Sequence, residues 1–180
     1  MKRINIIFLS LTFLLAGVGF LSALSDTANT HDVTMNIVEI ALIDLNDTGL
    51  VTLAISAPAL GGQDPVGDSD NSKLLQYTTV VSGATTRNVT INWGGADSAP
   101  AGTSLLAEAT SVPVGCGTAG AQVTVGVGAQ SIITGIGSCA TGTGGSGAQI
   151  TYTFSVDTVS SLDVADDQTV TITYTLTDAS

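Results

Sequence analysis

The chain has 180 residues, with 15 acidic against four basic side chains and a formal net charge of −11. Such a surface repels nucleic-acid phosphates and anionic lipid, so neither is an expected partner. At 44% hydrophobic and 11% charged residues, the composition supplies a core and argues against a disordered chain.

Met1-Lys2-Arg3 opens with positive charge, and Ile4 to Leu24 is almost wholly apolar. With small residues at Ala23 and Ser25, residues 1–25 read as an export signal cleaved before Asp26, so the membrane is met only during export. An uncleaved anchor is the alternative for so long an apolar run; the polar, Asp-containing segment that follows at once favours cleavage. No cysteine stands at the cut, and Leu176 to Ser180 carries no hydrophobic tail. Cleavage removes Lys2 and Arg3, leaving two basic residues, Lys73 and Arg87, against all 15 acidic ones, a net of −13. The remainder, 26–180, suits one domain.

Asp26 to His31 is a polar lead. His31, the only histidine, lies too near the new terminus to be held in a catalytic triad. Val33-Thr34-Met35-Asn36-Ile37 alternates, which predicts a strand with Val33, Met35 and Ile37 on one face; Val38 to Leu45 continues mostly apolar. A strand at a chain end can complete a neighbour's open sheet edge, and repeated head to tail that makes a fibre. The plainer alternative is a first strand paired within its own domain.

After a turn at Asn46 to Gly49, Leu50 to Ile55 predicts a strand. Pro58 to Ser72 reads as a loop in which Asp64, Asp68, Asp70 and Asn71 crowd oxygen ligands suited to calcium. Their spacing does not match the EF-hand, and turn-forming aspartates in a solvated loop are the alternative. Leu74 to Val81 and Arg87 to Trp93 are expected to pair around Ser82-Gly83-Ala84, with Trp93 in the core. Gln122 to Val127 and Gln130 to Thr134 flank a Gly-Ala turn. Thr141 to Gly147 is a flexible turn; with no following helix and no Lys, Gly144 to Gly147 is no phosphate cradle.

The clearest alternation lies in Ile150 to Val156 and Thr169 to Thr177, joined by a connection holding a second acidic cluster, Asp163, Asp166 and Asp167. No segment sustains a helical period. About nine short strands predict an all-β fold, a single antiparallel β-sandwich of Ig-like or pilin-like form.

Cys116 and Cys139 are expected to form one disulfide, closing a loop of about 24 residues and stabilising by about 3 kcal/mol. The rival reading, two metal ligands, lacks a supporting His or Cys nearby. No Gly-x-Ser-x-Gly elbow occurs, Glu39 and Glu108 are the only glutamates, and aromatic residues are too few for a sugar-binding platform.

The closing Thr169-Val170-Thr171-Ile172-Thr173-Tyr174-Thr175-Leu176-Thr177 and the Thr/Gly/Ala-rich, one-disulfide composition resemble secreted bacterial fimbrial or surface-fibre subunits. The block Ile132 to Cys139, running into Thr141 to Gly144, is similar to segments of small secreted proteins of Gram-negative bacteria. The chain departs from the chaperone–usher pattern in having both cysteines mid-chain and Tyr174 six places from its end. The resemblance implies a structural role and no enzymatic site. The expectation is a non-enzymatic structural subunit, exported through the periplasm to the cell surface or medium, that polymerises with itself or joins other surface proteins. The alternative is a monomeric binding module using calcium at Asp64 to Asn71; otherwise no cofactor is expected.

Overall fold

The computed structural model describes residues 30–164 and 168–179. The export signal over 1–25 and the acidic residues Asp166 and Asp167 lie outside the described residues. The chain divides after Asn36 into two units. In the first, residues 30–36 are exposed and form no strand.

The second unit, Ile37–Ser180, is all-β. Its described strands are β1 (Ile40–Leu45), β2 (Asp68–Val80), β3 (Arg87–Trp93), β4 (Thr103–Ser111), β5 (Thr118–Ala119), β6 (Val123–Thr124), β7 (Gln130–Ile136), β8 (Cys139–Ala140), β9 (Ala148–Val156) and β10 (Ile172–Asp178). One 3-10 turn, Val159–Ser161, interrupts them. The strands form two antiparallel sheets: a six-stranded one in the order β1-β2-β9-β4-β6, with β8 also on β2, and a four-stranded one in the order β10-β3-β7-β5.

Side-chain alternation determines which face each strand buries. In β3, Arg87, Val89, Ile91 and Trp93 are buried while the residues between them are half-exposed. In β2 the buried set is Lys73, Leu75, Tyr77 and Thr79, and in β9 it is Ala148, Ile150 and Tyr152. Ile132, Ile133 and Ile136 of β7 join them, so both sheets contribute to one hydrophobic cluster. Fully burying an Ile or Leu side chain contributes roughly 1.5–3 kcal/mol, and this cluster is where such burial is concentrated. Gly67 is required just before β2, because a Cβ there would collide with the Phe154 carbonyl of β9.

From β2 to β8 successive strands alternate between the sheets, which corrects two expected pairings. Leu74 to Val81 and Arg87 to Trp93 do not pair with each other. Both edges of β2 are taken by β1, β8 and β9, and both edges of β3 by β10 and β7. Their linking turn is closed by Thr85 N–H donating to Ser82 O at 3.1 Å, and it carries the chain from one sheet to the other. The Gly-Ala turn likewise separates β6 and β7, which lie in different sheets.

Three strand expectations also change. Val33 to Ile37 forms no strand; the first begins at Ile40. Alternation makes a strand only where a neighbouring edge supplies backbone hydrogen bonds, and no described residue pairs with this segment. Over Leu50 to Ile55 the alternation is real, since Val51, Leu53 and Ile55 are half-buried and the residues between them exposed. The backbone there is not laddered, and beyond it Ser56 and Val66 form a single bridge. Asp68, Asp70 and Asn71, expected in a loop, lie instead within β2, whose pairing with β9 shifts register between Asp70 and Lys73.

Candidate functional site

The edges of the two sheets are unlike on their two sides. On one side the edge strands β5 and β6 have two residues each. On the other they are β1 with six residues and β10 with seven. Short strands blunt an edge, whereas long ones present rows of unpaired N–H and C=O groups. Among the described strands β1 pairs with β2 alone and β10 with β3 alone.

These two long edges flank one seam. At one end Arg87 joins Glu39, just before β1, to Asp178, the last residue of β10, with Nη1 3.0 Å from Asp178 Oδ1 and Nη2 bonded to Glu39. At the other end lies a groove of about 280 Å³ between Ile43 and Leu45 of β1 and Ile172 and Tyr174 of β10. Since the start of β1 meets the end of β10, the two edges run antiparallel along the seam. Behind it the Tyr152 and Tyr174 hydroxyls are hydrogen bonded to each other, linking β9 of one sheet to β10 of the other.

Charge is segregated around this frame. Lys73 and Arg87 are buried, at 5% and 8% exposure, while no described acidic residue is buried. Lys73 Nζ donates to Asp47 Oδ2 at 2.8 Å and to the Gly49 carbonyl at 2.7 Å. That hydrogen bond, with help from the Gly49 N–H and the Lys73 charge, holds the Asp47 carboxyl below its usual range. The outward-facing charge of the described residues is therefore acidic throughout. Arg87 Nε is buried with no hydrogen-bond partner.

The expected site residues are placed as follows. Val33, Met35 and Ile37 are 67%, 87% and 85% exposed, and Val38 beside them is 62% exposed. Asp64 and Asp68 line an open cleft of about 490 Å³, and Asp157 joins them from the end of β9. Asp70 instead turns to Ser72, accepting from its N–H at 2.9 Å and its hydroxyl at 2.7 Å, and the Asn71 carbonyl accepts from Gln149. Among the described residues no three His, Cys, Asp or Glu side chains converge as a metal site. His31 and Asp163 are exposed, Glu108 is half-exposed on β4, and Trp93 is in the core.

Cys116 and Cys139 are disulfide-bonded, with Cα atoms 5.5 Å apart, inside the usual range. The bond ties the turn before β5 of the four-stranded sheet to β8 of the six-stranded one. The Tyr77 hydroxyl donates to the Cys116 carbonyl at 2.6 Å, and burial pushes its pKa up to about 12.

The ionic frame leaves a signal in the sequence. Lys73 is in phase with Leu75 and Tyr77, and Arg87 with Val89, Ile91 and Trp93. A cation on the apolar phase of a strand needs a charged or hydrogen-bonding partner within reach. Compared with protein-family models, curated proteins and solved structures, the chain matches none.

Proposed function

We propose that this chain is an exported structural protein, a β-sandwich subunit that self-associates into a fibre, pilus or matrix at the cell surface, by way of the periplasm. The observation that carries the reading is the exposed alternating run Val33, Met35 and Ile37 ahead of β1. Contiguous exposed apolar side chains mark an interaction site, and an alternating segment suits addition to a sheet edge. Long edges at β1 and β10 are the kind of partner such a segment requires. The reading assigns no catalytic residue and makes a second copy, or another surface protein, the partner.

Electron microscopy of the chain from Asp26 to Ser180, beside size-exclusion chromatography, tests it. Regular fibres or a ladder of oligomers are expected; a clean monomer at high concentration overturns it.

One observation favours a second reading, a monomeric binding module: Asp64, Asp68 and Asp157 share one cleft. Hard cations such as calcium take carboxylate oxygens of this kind. Calorimetric titration with calcium separates the two, since a silent titration removes the support for the module.

A further inference from the structure

Two Asn-x-Thr triplets occur in the chain, Asn46-Asp47-Thr48 and Asn88-Val89-Thr90. In an exported protein this is the acceptor pattern for an N-linked glycan, provided the triplet lies on an accessible surface segment. The structure separates the two.

Asn88 lies within β3, with β10 on one side and β7 on the other. Its Oδ1 accepts from the Gly135 N–H at 3.2 Å, and Val89 beside it is fully buried. To enter a transferase the triplet would have to leave the sheet and take a core residue with it.

Asn46 is the first residue beyond β1, and Asn46, Asp47 and Thr48 are all exposed. Its Oδ1 accepts the Leu74 N–H at 2.6 Å and its own N–H donates to Leu74 O at 3.0 Å. Those bonds hold the carboxamide while its Nδ2, the atom a glycan would occupy, makes no hydrogen bond among the described residues. Asp47 folds the turn by accepting the Gly49 N–H at 2.8 Å, and among the described residues the Thr48 hydroxyl makes no hydrogen bond.

We propose that Asn46 is an N-glycosylation site and that Asn88 is not. The donor is a lipid-pyrophosphate-linked oligosaccharide. A bond forms between Asn46 Nδ2 and the anomeric carbon of the sugar, and the anomeric C–O bond breaks. The lipid pyrophosphate leaves with the electron pair, and Nδ2 gives up one proton to a base of the transferase. The inference rests on the export reading, because Asn46 must reach the compartment that holds such donors.

The test is mass spectrometry of peptides from the protein isolated from its native cells, with the mature N-terminus read from the same digest. A series of hexose or hexosamine increments is expected on the Asn46 peptide and none on the Asn88 peptide, and an Asn46→Gln chain made in the same cells should lose the series. An unmodified Asn46 in a chain beginning at Asp26 overturns the inference and leaves export standing. An unmodified chain that keeps residues 1–25 overturns both, and a glycan confined to Asn88 overturns the discrimination between the two triplets.

Discussion

Lys73 is buried, yet its Nζ lies 2.8 Å from Asp47 Oδ2, and Asp47 itself is 63% exposed. Arg87 repeats the arrangement beneath Glu39 and Asp178. Asp47 follows β1 and Glu39 precedes it, so this edge strand is fixed at each end by a buried cation reaching out to a surface carboxylate. A buried charge deprived of its partner is costly, which is why the two cations of the described residues both stand under acidic side chains.

The Lys73–Asp47 contact makes part of the stability acid-sensitive. The hydrogen bond from Lys73 depresses the Asp47 carboxyl in the folded state. A depressed carboxyl stabilises above its unfolded value, about 3.9, and that contribution is lost as pH falls through the lower folded value. Lys73→Met keeps much of the buried stem but removes the bond. Its deficit in urea midpoint against the parent chain should therefore be larger at pH 7 than at pH 2.5. Equal deficits at both would show that Asp47 is not coupled to folding through Lys73.

The alkaline side belongs to the tyrosines. All three, Tyr77, Tyr152 and Tyr174, are held above the ordinary phenol value, in each case chiefly by burial. Tyr174 is raised further by Tyr152, while Tyr152 is partly relieved by the hydrogen bond it shares with Tyr174. A raised group gives stability that is complete below its unfolded pKa, about 10, and lost as pH rises towards the folded value. Ultraviolet titration should show no phenolate before the sheet signal in circular dichroism begins to fall. A phenol ionising near pH 10 in the folded protein would contradict this.

Tyr174→Phe removes the hydroxyl link between β9 and β10 and leaves the Tyr152 hydroxyl without that partner. A lost hydrogen bond of this kind costs about 1 kcal/mol, readable as a lower urea midpoint with an unchanged slope. Replacing Cys116 and Cys139 together by Ala should cost more, about 3 kcal/mol for a loop of this length. A double variant as stable as the parent would mean that the 23-residue separation is already constrained by β5 and β8 without the bond.

The all-β class was legible because Ile150 to Val156 and Thr169 to Thr177 alternate strictly, and alternation is the direct trace of a half-buried strand. The disulfide followed from there being two cysteines. β4 was not legible: Leu105-Leu106-Ala107-Glu108-Ala109 consists of good helix formers, yet it is laddered to β9 and β6 and buries Ala107 and Ala109. Small side chains there fit where bulkier ones from other strands fill the core, a tertiary reason that propensity does not carry. Strand pairing is hidden for a similar cause. A short Gly-containing link such as Ser82-Gly83-Ala84 signals reversal, but not whether the chain returns in the same sheet or crosses to the other. The seam between β1 and β10 joins residues more than a hundred positions apart, which no local pattern reports.

The assembly reading meets its sharpest test at Met35 and Ile37. Both side chains are more than four-fifths exposed, so charge placed there removes no core contact within the subunit. Surface changes of this type stay within about 0.5 kcal/mol. Met35→Asp and Ile37→Asp, separately and together, should leave the thermal midpoint near that of the parent. On the apolar face of a strand added to a second copy, the same charges would be buried without partners, and unpaired buried charge is strongly disfavoured. The double variant should therefore remain monomeric where the parent forms polymers, and Thr34→Asp, on the opposite face of the same alternation, should interfere less. Polymers of undiminished length from the double variant would remove this segment from the interface and return attention to the long edges of β1 and β10 themselves.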